Sequence, residues 1–181
     1  MLEGTVTAQV TCLEICAGAG GQALGLEQSG FEPQALVEID SACCNTFRLN
    51  RPHWKIVESD LRSFDGKLFA GVDLLAGGVP CPPFSKVGKQ LGKEDDRDLF
   101  PEALRLVDEC RPRAVMLENV RGFLDSVFED YRGNLKRQLE KMGYIADLVV
   151  LRSQGSSGRP RRLAKVGAEP WDLAQHNIWL P

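Results

Sequence analysis

Apolar residues occur in short runs along residues 1–151, and the runs are separated by segments with helical spacing. The first run, residues 6–16, is rich in β-branched and apolar side chains and predicts a buried strand. Five further runs predict strands over residues 35–38, 54–58, 72–76, 114–117 and 144–151. The helical segments are one ending at Gly30 and three more over residues 41–49, 99–109 and 123–142. This alternation predicts βαβ crossovers and an α/β fold with a doubly wound, mostly parallel sheet.

The residues that follow the predicted strands carry chemical groups. The first strand runs into a glycine-rich turn at residues 17–21, where a ligand could approach the backbone at the start of a helix. Glu38, Asp60, Cys81 and Glu118 follow strands two to five. Because the carboxyl ends of parallel strands meet at one edge of a sheet, we expect these side chains to converge above the glycine turn.

Two of these acids also have a simpler interpretation. Glu38 lies about 20 positions after the glycine turn, which is where such folds place an acid for ribose hydroxyls, although a solvent-exposed strand end is the alternative. Asp60 could equally cap a turn, which is the commoner role of an aspartate there. Residues 86–98 are polar and charged, which predicts either a lid over the site or a solvated linker.

Cys81 stands on a stiff loop, since it lies between Pro80 and the Pro82-Pro83 pair. Its position just past the fourth strand favours a nucleophile held at the ligand-binding edge. The alternative is a buried structural cysteine, which is the usual role of a single free cysteine. The sequence of this loop does not decide between them.

Composition narrows the class of protein. The 181 residues are 43% hydrophobic and 26% charged, which suits one globular domain. The net charge of −3 excludes a strongly basic nucleic-acid binder, although a local basic face would still serve. No apolar run approaches the roughly 20 residues that span a bilayer, and no signal peptide is recognisable. The six cysteines form no C-x-x-C pair, so we expect no metal site, reduced thiols and a cytoplasmic location.

The pattern changes after Leu151. Residues 152–162 are small, polar and basic, and the remaining residues show no clear periodicity. We therefore expect a cofactor-binding and catalytic domain over residues 1–151, followed by a flexible or divergent tail over residues 152–181.

Several motifs resemble those of the DNA (cytosine-5) methyltransferases, in the order and spacing of that family. The segment EICAGAGG at residues 14–21 is similar to the first motif of the family, and EID at residues 38–40 is similar to the second. GGVPCPPFS at residues 77–85 resembles the Pro-Cys loop, and ENV at residues 118–120 resembles the block that follows it. The resemblance covers residues 10–150 and implies a Rossmann-like S-adenosylmethionine-dependent methyltransferase fold.

The resemblance also implies roles for individual residues. It implies a methyl transfer from S-adenosylmethionine to carbon 5 of cytosine through a covalent adduct on Cys81, assisted by Glu118 and an arginine, for which Arg162 is our choice. The substrate would be double-stranded DNA with a flipped cytosine, within a restriction–modification system. The implied cofactor-binding residues are Cys16, Ala17, Gly18, Ala19, Gly21, Glu38, Ile39, Asp60, Leu61, Gly78, Pro80 and Leu99.

The chain departs from the family at two points. Cys16 stands where the family has a phenylalanine against the adenine, and only the N-terminal portion of the catalytic motifs is recognisable, without a target-recognition domain or C-terminal motifs. Three other functions therefore stay open. They are a truncated or split half that is inactive without a partner chain, a tRNA cytosine-5 methyltransferase, and a dinucleotide-dependent oxidoreductase, which would leave Cys81 unexplained.

Overall fold

The computed structural model describes residues 9–80 and 98–150, together with the backbone of residues 162–168. The strands are β1 (Val10–Ile15), β2 (Phe31–Glu38), β3 (Ile56–Glu58), β4 (Leu74–Gly77), β5 (Ala114–Asn119), β6 (Tyr144–Ala146) and β7 (Arg162–Ala168). The α-helices are α1 (Gly21–Gln28), α2 (Ser41–Asn50), α3 (Phe100–Cys110) and α4 (Glu129–Lys141). None of the described helices is long and apolar enough to cross a membrane.

The strands form one sheet in the order β3-β2-β1-β4-β5-β7-β6. β1 pairs in parallel with both β2 and β4, and the parallel pairing continues outward to β3 on one side and β5 on the other. The chain therefore changes direction across the sheet between β1 and β4, which is the point where such sheets bind ligands. The predicted doubly wound, mostly parallel α/β fold is confirmed.

β7 differs from the tail that we predict for this part of the chain. It runs antiparallel between β5 and β6, with Arg162 opposite Asn119 and Tyr144 opposite Ala168. The local sequence of β7 has no clear alternation of apolar and polar residues. Its pairing with β5 and β6 therefore defines this strand, and its own pattern does not. The sixth strand is also shorter than predicted, because β6 ends at Ala146 and not at residue 151.

The long helix predicted over residues 123–142 is interrupted. Two short 3₁₀ turns, Arg121–Leu124 and Ser126–Phe128, precede α4, and Asp125 between them is extended. Arg132 of α4 donates to the carbonyl oxygens of Phe123 at 2.6 Å and Asp125 at 2.9 Å, which stabilises the interruption. Apolar spacing alone does not reveal a break that depends on this arginine.

Helices cover the two faces of the sheet unequally. The main core lies beneath α3 and α4 and includes the fully buried Leu13, Leu75 and Leu106. A smaller core around Leu36 and Phe47 lies beneath α1 and α2. Burial on both faces explains the continuous apolar character of β4, which is typical of a central parallel strand.

Aromatic packing holds the start of α3 in place. Phe100 stacks on Phe123 with ring centroids 5.2 Å apart, and Tyr131 meets the edge of both rings. The Tyr131 hydroxyl donates to Asp98 at 2.6 Å, and the other carboxylate oxygen of Asp98 accepts the Phe100 N–H. The chain therefore enters α3 at a well-defined position, directly beside Leu99.

Candidate active site

The glycine turn after β1 is packed against Phe47 at Gly20 and is open at Gly18 and Gly21. Gly18 and Gly20 have φ values of +56° and +87°, which favour glycine. A Cβ atom on Gly20 would lie 2.3 Å from Cε1 of Phe47, so this side of the turn is filled. A Cβ atom on Gly18 or Gly21 would meet nothing within 4 Å. The turn therefore presents open space to a ligand at the N-terminus of α1.

Glu38 ties the end of β2 to this turn. Its Oε2 atom accepts the N–H of Gly18 at 2.7 Å, and its Oε1 atom accepts the N–H groups of Ile39 and Asp40 at 2.8 and 2.9 Å. A carboxylate has about four acceptor positions, so Glu38 can still accept the hydroxyls of a ribose. The neighbouring Ile39 side chain is 65% exposed and offers an apolar surface at the same edge.

Asp60 follows β3 and caps a short 3₁₀ turn. It accepts the N–H of Arg62 at 2.9 Å, which lowers the pKa of the Asp60 carboxyl, and it also pairs with the Arg62 guanidinium. The turn-capping interpretation is therefore correct, and the carboxylate stays charged beside the site. The side chain of Leu61 is only 4% exposed in the main core, so any contact of Leu61 with a ligand would come from its main chain.

The charges of the Glu38 and Asp60 carboxylates act on the thiol of Cys16. Burial, followed by the charges of Glu38 and Asp60, raises the pKa of the Cys16 thiol to about 12. The thiol is therefore protonated at neutral pH and is a poor nucleophile. Its backbone has φ of +50°, an uncommon value for a residue other than glycine. Cys16 therefore contributes a left-handed backbone conformation to the start of the turn and is not a candidate nucleophile.

The ends of β4 and β5 meet the glycine turn at Gly78. A Cβ atom on Gly78 would lie 3.7 Å from Oε2 of Glu118 and 3.7 Å from the carbonyl oxygen of Cys16. The structure therefore brings the glycine turn, the start of the Pro-Cys loop and Glu118 into one place. Pro80 is exposed at this edge, and Cys81 follows it outside the described residues.

Asn119 holds the approach to the Pro-Cys loop. Its side chain is 7% exposed, and its Nδ2 atom donates to the carbonyl oxygen of Val79 at 2.9 Å. Its Oδ1 atom accepts the N–H of Val120 at 2.9 Å, so both ends of the amide are bonded. The sequence contains the E-N-V triplet, but only the fold shows that its asparagine joins β5 to the chain two residues before Cys81.

Four more of the predicted site residues lie within the described part of the chain: Arg162, Leu99, Ala17 and Ala19. The backbone of Arg162 is opposite Asn119, and Leu163 is opposite Glu118, so the start of β7 is at the same edge of the sheet. Leu99 is half-buried just before α3 and packs against the main core. Ala17 is buried and donates its N–H to Val37 at 3.2 Å, whereas Ala19 is exposed on the turn.

Arg105 of α3 fixes the segment that contains Leu61, and no local sequence signal marks it. Its Nη2 atom donates to the carbonyl oxygens of Leu61 at 2.9 Å and Phe64 at 3.2 Å. Glu102 and Glu109 accept from its other nitrogen atoms, each at 2.7 Å. The guanidinium therefore connects α3 to the turn that follows β3.

Replacing Arg105 with methionine is expected to weaken S-adenosylmethionine binding about 5- to 10-fold and to lower the free energy of unfolding by about 1–2 kcal/mol. The two carbonyl oxygens lose their donor, so the main chain at Leu61 becomes less ordered. Calorimetric titration and urea unfolding measure the two effects. Arg113→Met is the matched control, because Arg113 pairs with Asp73 at the opposite end of the strands. Equal losses in both variants would contradict a role of Arg105 in the site.

The fold and the glycine turn define the class of Rossmann-like S-adenosylmethionine-dependent methyltransferases. The profile of the C-5 cytosine-specific DNA methylases matches residues 10–162, and the chain belongs to that family.

Sequence comparison with individual proteins is consistent with this family. The chain is 62% identical over 143 residues to the type II methyltransferase M.NgoMIV of Neisseria gonorrhoeae, covering 79% of this chain and 46% of that protein. It is 49% identical over 142 residues to M.NaeI of Lentzea aerocolonigenes, covering 77% of this chain and 34% of that protein. The chain thus spans less than half the length of either relative.

A solved structure has the same fold. It is described as a DNA modification methyltransferase encoded within an Escherichia coli prophage, and it superimposes with a TM-score of 0.75 at 25% identity. The superposition covers 88% of this chain and 46% of that one.

S-adenosylmethionine is the methyl donor that this family and fold imply. The residues present fit it, because the open side of the glycine turn has the space for a ligand and the ionised Asp60 lies nearby. The same edge offers backbone and carboxylate acceptors for a nucleoside at Glu38 and Asp60, with an exposed apolar side chain at Ile39. A cationic nucleoside therefore suits the charge and the shape of the site.

Proposed function

We propose that residues 1–151 are the cofactor-binding and catalytic portion of a DNA (cytosine-5) methyltransferase of a restriction–modification system. The supporting observation is the approach of Gly78 to both Glu118 and Cys16, with 3.7 Å from its Cβ position to each of the two oxygen atoms. The predicted nucleophile loop begins at this point, between the acid that would hold the base and the turn that would hold the methyl donor.

The proposed chemistry is nucleophilic. The thiolate of Cys81 forms a bond to carbon 6 of cytosine, and the electron pair of the 5,6 double bond then makes carbon 5 nucleophilic. S-adenosylmethionine, when bound, would supply the methyl group as an electrophile, with the neutral thioether S-adenosylhomocysteine as the leaving group. After the transfer, the proton on carbon 5 leaves to a base, the bond from sulfur to carbon 6 breaks, and Cys81 is released as the thiolate.

Glu118 and Arg162 would hold the base during these steps. Glu118 would share a proton with N3 of cytosine and accept from the exocyclic amine, and this proton would offset the negative charge that develops on the ring when the thiolate adds. Arg162 begins the strand that pairs with Glu118 and Asn119, which supports its role as a second contact to the base. The Asn119 bond to the Val79 carbonyl oxygen supports a fixed approach to Cys81.

The remaining predicted residues would bind the donor. Glu38 would accept the ribose hydroxyls, Asp60 would accept the adenine amino group, and Ile39 would pack against the adenine ring. The open side of the turn at Gly18 and Gly21 would take the methionine portion, with Cys16, Ala17, Ala19, Leu61, Gly78, Pro80 and Leu99 around the rest.

The substrate would be double-stranded DNA with one cytosine rotated out of the helix, since a base inside a duplex cannot reach the nucleophile. The chain spans 46% and 34% of the two relatives. The proposal places target recognition outside residues 1–151, with a second polypeptide as its carrier.

We expect the chain alone to transfer methyl groups very slowly or not at all, while it still binds S-adenosylmethionine. Calorimetric titration measures the binding, and incorporation of a labelled methyl group into duplex DNA or tRNA measures the transfer, each with and without the neighbouring gene product. Transfer to duplex DNA at an ordinary enzymatic rate by the chain alone would contradict the need for a partner. Transfer to tRNA only would replace the proposed DNA substrate, and no binding of the donor would refute the proposed function.

A further inference from the structure

Glu14 is a buried acid that the proposed chemistry does not use. It is the penultimate residue of β1, it is 2% exposed, and its neighbours across the sheet are Leu36 of β2 and Ala76 of β4. The N–H of Ala23, in the first turn of α1, lies close enough to lower the pKa of its carboxyl. The Oε2 atom is buried with no hydrogen-bond partner in the described part of the chain. An orphaned carboxyl oxygen in an apolar interior is costly and requires an explanation.

The first turn of α1 has no side-chain cap. The N-cap of α1 is Gly20, which has no side chain to accept the free N–H groups of the first turn. A larger residue is excluded at this position by the φ of +87° and by the contact that a Cβ atom would make with Phe47. The buried carboxyl of Glu14 on the adjacent strand therefore lies beside the uncapped first turn of α1.

The surroundings of Glu14 favour its neutral form. Burial raises the pKa of the Glu14 carboxyl to about 8, and the nearby N–H of Ala23 only partly opposes this shift. Cys12 on the same strand is the nearby titratable group, and burial and the charge of Glu14 raise the pKa of its thiol to about 12. The flanking Leu36 and Ala76 are apolar. Glu27, the acid of α1, is held at the other end of that helix by Trp54.

We propose that Glu14 holds a proton in the free protein and releases it when the cationic methyl donor occupies the glycine turn. The inference rests on the proposed function, because the cation in question is the sulfonium group of S-adenosylmethionine. A positive charge at the turn favours the ionised carboxylate, and the N-terminus of α1 stabilises the same form. Glu14 is therefore a positioning residue whose charge follows the occupation of the site.

Proton release during titration tests this inference on the full 181-residue chain. S-adenosylmethionine is titrated at pH 7 in three buffers with different ionisation enthalpies, and the dependence of the heat on the buffer gives the protons released. We expect about 0.5–1 proton for the unchanged chain. S-adenosylhomocysteine, which lacks the methyl group and therefore has a neutral sulfur atom, is expected to release clearly less.

Two variants assign the proton to a residue. Glu14→Gln keeps the shape of the neutral acid, and it is expected to bind the donor without this release. Glu27→Gln is the matched control at the far end of α1, and it should release as many protons as the unchanged chain. Equal release in Glu14→Gln and the unchanged chain, or equal release with both ligands, would overturn the inference while the proposed function stands. No binding of either ligand would refute the proposed function, and the inference with it.

The stability of the free protein gives a second measurement that needs no ligand. The unfolded chain releases the Glu14 proton near pH 4.5 and the folded chain near pH 8, so the folded state holds more protons between these values. The free energy of unfolding is therefore expected to fall as the pH rises through this window. Urea unfolding should show nearly equal stabilities for the unchanged chain and Glu14→Gln near pH 4.5, and a growing advantage of Glu14→Gln as the pH rises toward 8. A difference independent of pH would overturn the protonated state of Glu14.

Discussion

Replacing Cys81 with serine is expected to reduce methyl transfer about 10⁴-fold or more and to leave the Kd for S-adenosylmethionine within about twofold. A serine hydroxyl is far less ionised than a thiol at neutral pH, so it does not form the bond to carbon 6. In the proposed site the donor binds elsewhere, at the turn after β1 and at the acids after β2 and β3, so its affinity would not depend on the sulfur atom. Labelled methyl incorporation by the chain in its active assembly measures the transfer, and calorimetry measures the binding.

A second cysteine variant controls for general damage. Cys43→Ser changes a half-buried thiol on α2, next to the Asp40 cap, and it should retain normal transfer. Transfer by Cys81→Ser at more than a small fraction of the normal rate would refute the nucleophilic role. Loss of donor binding in Cys81→Ser would instead give this residue a structural role, which is the alternative that the loop sequence leaves open.

Replacing Gly77 with alanine is expected to lower the free energy of unfolding by about 3 kcal/mol. The added Cβ atom would lie 2.5 Å from Cγ1 of Ile15 and 2.7 Å from the Ile15 carbonyl oxygen. The second contact is with backbone in the middle of the sheet, so it cannot be relieved by a rotation of a side chain. The strands β1 and β4 would have to separate at the edge where the site lies. Urea unfolding measures the loss.

Gly78→Ala is the matched control, because the same change is made one residue further along the chain. Its Cβ atom would be in ordinary contact at 3.7 Å with Glu118 and Cys16, so the stability should change by less than about 1 kcal/mol. The same methyl group would enter the space that we assign to the donor, so weaker donor binding is expected there. Equal loss of stability in both variants would contradict the packing of β4 on β1 described here.

The two glycines also show why the end of β4 tolerates so little change. Gly77 lets the central strands approach closely, and Gly78 leaves room between Glu118 and the glycine turn. The Asn119 bond to the carbonyl oxygen of Val79 then directs the chain toward Cys81. Three consecutive residues at the start of the Pro-Cys loop are therefore constrained in different ways. Close packing constrains Gly77, the space beside it constrains Gly78, and a hydrogen bond constrains Val79.

Most of the parallel part of the fold is predictable from local pattern. The apolar runs, the helical spacing and the residues that end each strand are properties of short segments, and the parallel arrangement follows from the strict alternation of strands and helices. The positions of Glu38, Asp60 and Glu118 at one edge follow from the same rule. The roles of Cys81 and Arg162 stay predictions, since Cys81 lies outside the described residues and only the backbone of Arg162 is described.

Features that depend on contacts between residues far apart in the sequence are visible only in the tertiary structure. The strand β7 forms by pairing with β5 and β6, and Arg105 acts on Leu61 across 44 positions of sequence. Glu14 opens the first motif in the sequence, but only the fold shows that its carboxyl is buried beside the first turn of α1 and that its Oε2 atom has no hydrogen-bond partner in the described residues. The sequence by itself determined the family, the order of the parallel elements and the residues at the strand ends, because local periodicity and motifs encode them. Only the tertiary structure decided the pairing of β7, the support of Leu61 by Arg105 and the burial of Glu14, because long-range contacts set them.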